Sequence, residues 1–244
     1  MPLVGFGTWQ LSGRDAYRAV RTALDVGYRL VDTATMYQNE AEIGAAIRES
    51  GVARDELFVT TKIMPGDGRT VTETIAASLE ALGVEHVDLW LIHWPPADTA
   101  LVSTWEQVLD VRTSGLATDV GVSNFSVAQI DRIIAATGVA PAVNQVPWAP
   151  SHHDVAFLES MRQLHVAVEG YSPFTLTDMN ERALVQFARD HDVLPTQVIV
   201  RWHVQHEIVV IPKSKTAARI ATNFDISGFE LTTEEMSAID GLAR

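Results

Sequence analysis

Eight apolar runs recur along the chain, and each ends in a polar residue or a glycine. LVGFG ends at Gly7, YRLVD at Asp32, LFVTTK at Lys62 and VDLWLIH at His93. TDVGVSN ends at Ser123 and Asn124, AVNQ at Gln145, VAVEGY at Tyr171 and IVVIPK at Lys213. Every interval between these ends has room for a helix and its turns. Strand–helix units repeated eight times, with polar groups at the strand C-termini, describe an α/β chain folded as a (β/α)8 TIM barrel. In that architecture active sites assemble on the C-terminal rim. At 244 residues the chain has the size of one such barrel, so a single domain over residues 1–244 is expected.

The pattern within the runs supports this. FVTT, VDLWLI and IVVI are continuous rather than alternating, as strands covered on both faces require. Between them, Ala16, Ala19, Val20, Ala23 and Leu24 follow a helical period that closes at Gly27. Thr70 with Glu73, Ser126 with Gln129 and Thr232 with Glu235 have the spacing of capping boxes at three further helix starts. The long interval from Tyr171 to Lys213 holds two helices, one over about 179–191 and one beginning at Pro195.

A net charge of −13 argues against nucleic acid or an anionic membrane as partner, so a phosphate-bearing ligand needs a local basic pocket. The absence of cysteine excludes thiol catalysis, disulfides and cysteine-bound zinc. MPLVGFGTWQLSGRD lacks the build of a secretory signal, and no apolar run approaches the roughly 20 residues that span a bilayer. A cytoplasmic protein is the expectation. His152, His153 and Asp154 form a solvated turn without a third metal ligand in sequence, and His203 and His206 have surface or packing roles; no metal is expected. Trp90 and Trp202, inside apolar runs, belong to the core.

If strands two, three and four are neighbours, Asp32, Tyr37, Lys62 and His93 converge on one rim. A tyrosine with its ordinary pKa near 10 is a weak acid at neutral pH, and an adjacent ammonium lowers that value. Asp32 would hold Lys62 charged and oriented, while His93 donates to a substrate oxygen or joins the proton transfer. Such a set protonates an oxyanion. The purely structural alternative is a buried ion pair and polar network closing the barrel. For a redox partner, the only G-x-G, Gly5-Phe6-Gly7, lacks both the third glycine and the setting of a dinucleotide fingerprint. Lys213, Ser214, Lys215 and Arg219 instead cluster after the last strand, where they suit a phosphate monoester such as the 2′-phosphate of NADP(H), the plain alternative being a solvated helix start. Tyr171, at the end of the seventh run, has two readings, a ring that stacks on a nicotinamide or plain core or rim packing.

GFGTW, VDTATMYQNEAEIG, TTK, DLWLIHWP, GVSNF, NQV, YSP and IPKS, in this order, make the chain resemble the aldo-keto reductases over almost its whole length. The resemblance implies a (β/α)8 barrel that reduces aldehydes and ketones with NADPH and without metal. It implies Tyr37 as proton donor, tuned by Lys62 and Asp32, with His93 orienting the carbonyl. Histidine at that position, and not glutamate, points to carbonyl reduction over steroid double-bond reduction. By the same resemblance Gly7 and Thr8 border the cofactor, Ser123, Asn124 and Gln145 hold the nicotinamide carboxamide, and Tyr171 stacks on its ring. Ser172 and Phe174 lie on the pyrophosphate side, Lys213, Ser214 and Arg219 clamp the 2′-phosphate, and Asn223 meets the adenine.

The chain also departs from the family pattern. The N-terminal hairpin that usually plugs the barrel bottom and the C-terminal loop are expected to be missing, with the chain stopping at Arg244. NQVPWAP replaces NQVEYHP, and Ile63-Met64 stands where a tryptophan is common. These changes predict a wide pocket, walled by Trp9, Met36, Met64 and Trp94, with broad specificity for small carbonyl substrates. A monomer is expected, with weak self-association the alternative if the missing hairpin bares apolar surface. Two other functions fit the same residues: a catalytically weak NADP(H)-binding regulatory barrel, and a Schiff-base aldolase built on Lys62.

Overall fold

The apolar runs become strands because both of their faces are covered, one by the barrel interior and one by helices. The computed structural model describes residues 1–66 and 68–242. Its strands are β1 (Gly5–Gly7), β2 (Leu30–Asp32), β3 (Phe58–Ile63), β4 (Val87–Ile92), β5 (Ala117–Ser123), β6 (Val143–Pro147), β7 (Ala167–Tyr171) and β8 (Val209–Val210). They form one sheet in chain order, every neighbouring pair parallel. A parallel bridge between Val4 and Val210 brings the two edges together. The Val210 N–H donates to the Leu3 carbonyl at 2.9 Å, and the Gly7 N–H donates to the Pro212 carbonyl at 3.2 Å.

The helices are α1 (Gly13–Val26), α2 (Glu40–Ser50), α3 (Val71–Leu82), α4 (Leu101–Thr113), α5 (Val127–Thr137), α6 (Val155–Gln163), α7 (Arg182–Asp190), α8 (Pro195–Gln205), α9 (Ala217–Phe224) and α10 (Thr233–Asp240). All three expected capping boxes are formed, at Thr70, Ser126 and Thr232. Gly27 caps α1 as expected.

Two boundaries differ from the sequence reading. IVVIPK was expected to be strand through Lys213, but β8 has only two ladder residues. Pro212 has no N–H to extend it, although its carbonyl still accepts from Gly7. The helix expected from about 179 begins at Arg182, because Asp178 Oδ1 accepts from the Asn180 N–H at 2.9 Å and holds residues 178–180 in a turn. Arg244, where the sequence reading placed a missing C-terminal loop, lies outside the described residues.

The barrel interior is filled by Leu30, Val209 and Ile211 on one side and Leu89, Leu91 and Val143 on the other, with Phe58 packed against both groups. A larger core lies between strands and helices and includes Trp90, Trp105 and Trp202. Packing between α2 and α3 is tight enough that a Cβ on Gly44 would lie 2.3 Å from the Leu82 carbonyl oxygen. His203 is buried in this layer, its Nδ1 2.7 Å from the Ile199 carbonyl and its Nε2 3.1 Å from that of Trp148. Among the described residues no helix is long and apolar enough to cross a membrane.

Candidate active site

A cavity of about 470 Å³ opens at the C-terminal rim of the barrel. Its floor holds Asp32, Tyr37 and His93, one wall holds Ser123, Asn124 and Gln145, and it runs past Tyr171 to Lys213. Trp9, Met36 and Trp94 form an exposed rim at 50%, 47% and 47% accessibility.

Beneath the floor lies an ion pair. Lys62 sits on β3 and is fully buried. Its Nζ donates to both oxygens of Asp32 at 2.7 Å and to the Thr33 carbonyl at 2.8 Å. Burial is the largest single effect and would discharge this lysine, but the charge of Asp32, the charge of Tyr37 and the hydrogen bond to Asp32 act against it, and the net shift is upward, so the ammonium is kept. Gln145 Nε2, from β6 on the far side of the barrel, donates to Asp32 Oδ2 at 2.8 Å.

Tyr37 follows β2 and is half-buried above this pair, with Lys62 Nζ 5.3 Å from its ring centroid. Lys62 lowers its pKa as the sequence argument expected, yet the net shift is upward because burial is the larger effect. The phenol therefore holds its proton at neutral pH. His93 stands edge-on to Tyr37, with the ring centroids 5.6 Å apart. Burial, aided by the Lys62 charge, pushes its pKa down to about 3. His93 is thus a neutral imidazole that can donate one hydrogen bond, and at neutral pH it is no proton source. Its Nδ1 is buried without a hydrogen-bond partner.

The amide wall is bonded in series. Tyr171 OH donates to Asn124 Oδ1 at 2.8 Å, Asn124 Nδ2 donates to the His93 carbonyl at 3.1 Å and to Ser123 Oγ at 3.0 Å, and Ser123 Oγ donates to the Gln145 carbonyl at 2.8 Å. Asn124 and Ser172 take left-handed backbone angles, φ 65° and 58°, which turn the chain sharply at the ends of β5 and β7. A Cβ on Gly7 would lie 2.8 Å from the Ile211 carbonyl oxygen, so only glycine lets β1 approach β8 at this rim.

Past Tyr171 the cavity reaches Ser172, Phe174 and the exposed Lys213, while Ser214, Lys215 and Arg219 follow around the start of α9. No salt bridge among the described residues engages Lys213, Lys215 or Arg219. A cluster of free cations beside helix N–H groups fits a phosphate. The cavity's apolar and amide-lined stretch before it fits a flat polar ring stacked on Tyr171. The residues present therefore match a phosphorylated nicotinamide dinucleotide.

Several expected residues lie off the cavity wall. Thr8 is buried behind it, donating through Oγ1 to the Asp32 carbonyl at 2.9 Å. Gln145, expected at the carboxamide, does border the cavity, with its Nε2 donating to Asp32. Met64 is half-buried but does not line the cavity, whose wall on that side is Trp94. Asn223 is buried in α9, and neither it nor Ser214 nor Arg219 borders the cavity. Asp154 caps α6 through Oδ1, and the His153 ring packs between Trp148 and Trp202. A larger cavity, about 790 Å³, lies among Leu3, Gly27, Val204 and Phe224, with Arg29 and Asp225 its only charged lining residues among those described. It brings no group of titratable side chains together.

Three residues of the site were missed. Asn39 ties two rim loops, accepting from Thr33 Oγ1 and donating to the Thr8 and Leu11 carbonyls. Gln10, at φ 62°, lines the cavity. Glu169 is fully buried on β7; the signal for it was a lone acidic residue inside the apolar run VAVEGY.

A family model described as the Aldo/keto reductase family matches residues 3–244. An aldo-keto reductase of Mycolicibacterium smegmatis is 42% identical, the match covering 99% of this chain and 87% of that protein. The methylglyoxal reductase DkgA of Escherichia coli is 36% identical over 98% of this chain and 88% of its own length. Among solved structures, an aldo/keto reductase from Brucella melitensis superposes with a TM-score of 0.95 at 38% identity, covering 99% of this chain and 95% of that one. A Bombyx mori aldo-keto reductase in complex with NADP gives a TM-score of 0.93 at 32% identity, covering 100% and 89%. The barrel, the buried lysine–aspartate pair under a tyrosine and these matches agree, and the chain belongs to the aldo/keto reductase family.

Proposed function

We propose that this protein is an NADP(H)-dependent carbonyl reductase of a single barrel domain that converts small aldehydes and ketones to alcohols, with Tyr37 as proton donor. The observation that carries the reading is the buried Lys62–Asp32 ion pair beneath Tyr37, with neutral His93 beside it at the cavity floor.

When bound, NADPH supplies a hydride to the carbonyl carbon. Ser123, Asn124 and Tyr171 would hold its nicotinamide, Ser172 and Phe174 its pyrophosphate side, Lys213, Ser214 and Arg219 its 2′-phosphate, and Asn223 its adenine. His93 donates a hydrogen bond to the substrate oxygen and so fixes the carbonyl toward Tyr37. As negative charge gathers on that oxygen, Tyr37 gives up its phenolic proton. The Lys62 ammonium stabilises the phenolate that remains, and Asp32 keeps Lys62 charged and aimed. Trp9, Met36 and Trp94 shelter the substrate's apolar part without enclosing it, which supports broad specificity.

The relatives named for methylglyoxal and 2,5-diketo-D-gluconic acid place both compounds first in a substrate panel. The net charge of −13 supports a protein that avoids nucleic acid, and we infer a cytoplasmic monomer. Loss of NADPH absorbance with a panel of aldehydes and ketones, wild type against Tyr37→Phe, tests the reading. Turnover should fall by about 10²–10⁴-fold in the variant while NADPH still binds. Tight NADPH binding by a wild type that reduces nothing would replace this reading with a regulatory barrel.

A further inference from the structure

Glu169 has no place in the reaction described above, yet it lies inside the barrel beside the reacting groups. It is 0% exposed and pairs in register with Gln145 of β6 and Val209 of β8. Gln145 is the residue whose amide donates to Asp32. Neither carboxyl oxygen of Glu169 makes a hydrogen bond of ordinary distance and angle. Gln145 is near enough only to favour its ionised form weakly.

The charges around it can be counted. Asp32 and Lys62 face it from β2 and β3, and the repulsion of the carboxylate exceeds the attraction of the ammonium. Val209 on β8 carries no charge, and Tyr37 is neutral while it holds its proton. His203 of α8 packs against Gly170, the next residue of β7, whose side points out of the barrel, and it is turned toward the Ile199 and Trp148 carbonyls. An ionised Glu169 would therefore leave a poorly compensated negative charge in the buried barrel interior, which proteins avoid. Burial first, and the Asp32 carboxylate second, push its pKa up to about 8, so it is protonated at neutral pH.

We propose that Glu169 is a positioning residue of the proton-donating cluster: its carboxyl sets the net charge that Asp32, Lys62 and Tyr37 share, and through it the ease with which Tyr37 parts with its proton. The proposal rests on Tyr37 being the donor. With Glu169 neutral, the phenolate formed in reduction faces the full pull of Lys62. Once Glu169 ionises, its charge acts on both Tyr37 and Lys62 and makes each hold its proton more tightly. Ionised Glu169 thus shifts the loss of the Tyr37 proton to higher pH, so that at a given alkaline pH less of the phenolate that alcohol oxidation needs is present.

The test compares pH profiles of kcat, in both directions, for wild type, Glu169→Gln and Glu169→Met; methionine keeps the length in case a buried amide does not fold. Either variant fixes the position neutral at every pH. The alkaline fall of reduction and the alkaline rise of oxidation should both move to lower pH by about one unit. Superimposable profiles in a folded variant would overturn the proposal. Infrared spectra of the wild type alone give a second reading, free of turnover and of substrate. A buried protonated carboxyl should absorb at neutral pH, vanish with a midpoint near 8 and be missing from the variants. A wild type with no carboxyl titrating there would overturn the proposal even if the variants cannot be made. Should Tyr37→Phe remain fully active, the donor assignment fails; should only the Glu169 profiles stay fixed, that assignment stands and the proposal falls.

Discussion

Gln145 Nε2 donates to Asp32 Oδ2 at 2.8 Å, which makes a residue of β6 a direct partner of the aspartate on β2 across the barrel. Asp32 thus receives hydrogen bonds from two strands, β3 and β6, and is held from opposite sides. Replacing Gln145 by Leu keeps the bulk and removes the donor. Stability should fall by about 1–3 kcal/mol, the cost of leaving a buried acceptor short of a partner. Urea unfolding measures it, and an unchanged midpoint would mean the bond contributes nothing.

Lys62 and Asp32 form a pair that is costly to break from one side only. Lys62→Met should destabilise the protein by about 3–5 kcal/mol, since it leaves a buried carboxylate uncompensated. Lys62→Met combined with Asp32→Asn should recover part of that loss while turnover stays absent. If the two single losses simply add in the double variant, the pair is not coupled.

The free cations after β8 should discriminate between cofactors. Arg219→Ala removes a charge-assisted contact worth about 1.5–3 kcal/mol, so Kd for NADPH should rise roughly 10- to 100-fold. Affinity for NADH should stay within about twofold. Equal losses with the two cofactors would show that Arg219 does not meet the 2′-phosphate.

Acid should unfold the protein through its buried histidines. His93 titrates near 3 and His203 near 4, both lowered first by burial, whereas an unfolded histidine titrates near 6.5. Between these values the unfolded chain binds more protons than the folded one, so stability falls as pH drops from about 6.5 toward 4, by a few kcal/mol. Chemical denaturation across that range measures the slope, and His203→Gln should flatten it. A slope unaffected by the substitution would place the acid lability elsewhere.

Much of this was legible in the sequence because parallel strands buried on both faces write themselves as continuous β-rich runs. Where each run ends in a polar residue, the rim is marked as well: Asp32, Lys62, Ser123 and Tyr171 all lie in or at the ends of their strands. Capping boxes were legible for a similar reason, since both partners lie within one turn. What could not be read is anything that depends on direction across the barrel. Gln145 borders the cavity as expected, but only the closed ring shows that its Nε2 also bonds Asp32. Met64 follows β3 and was expected in the pocket, yet the turn after the strand leaves it off the wall. The balance of effects on Tyr37 was also hidden, because sequence reveals a nearby lysine but not how deeply the phenol is buried. Glu169 shows the reverse failure: its letter was plain, but no motif drew attention to it.

The join between β8 and β1 has further meaning. Every other strand boundary is stitched by a ladder between named strands, whereas this one relies on the Val4–Val210 bridge and a few bonds around Pro212. Lys213 follows immediately. A dinucleotide gripped there by its phosphate, and held at Asn124 by its ring, would reach from this bridged join to the opposite wall and so strap the barrel mouth. Amide exchange at Val210 should then slow when NADP(H) is added; exchange that does not respond to the cofactor would mean that the join closes without it.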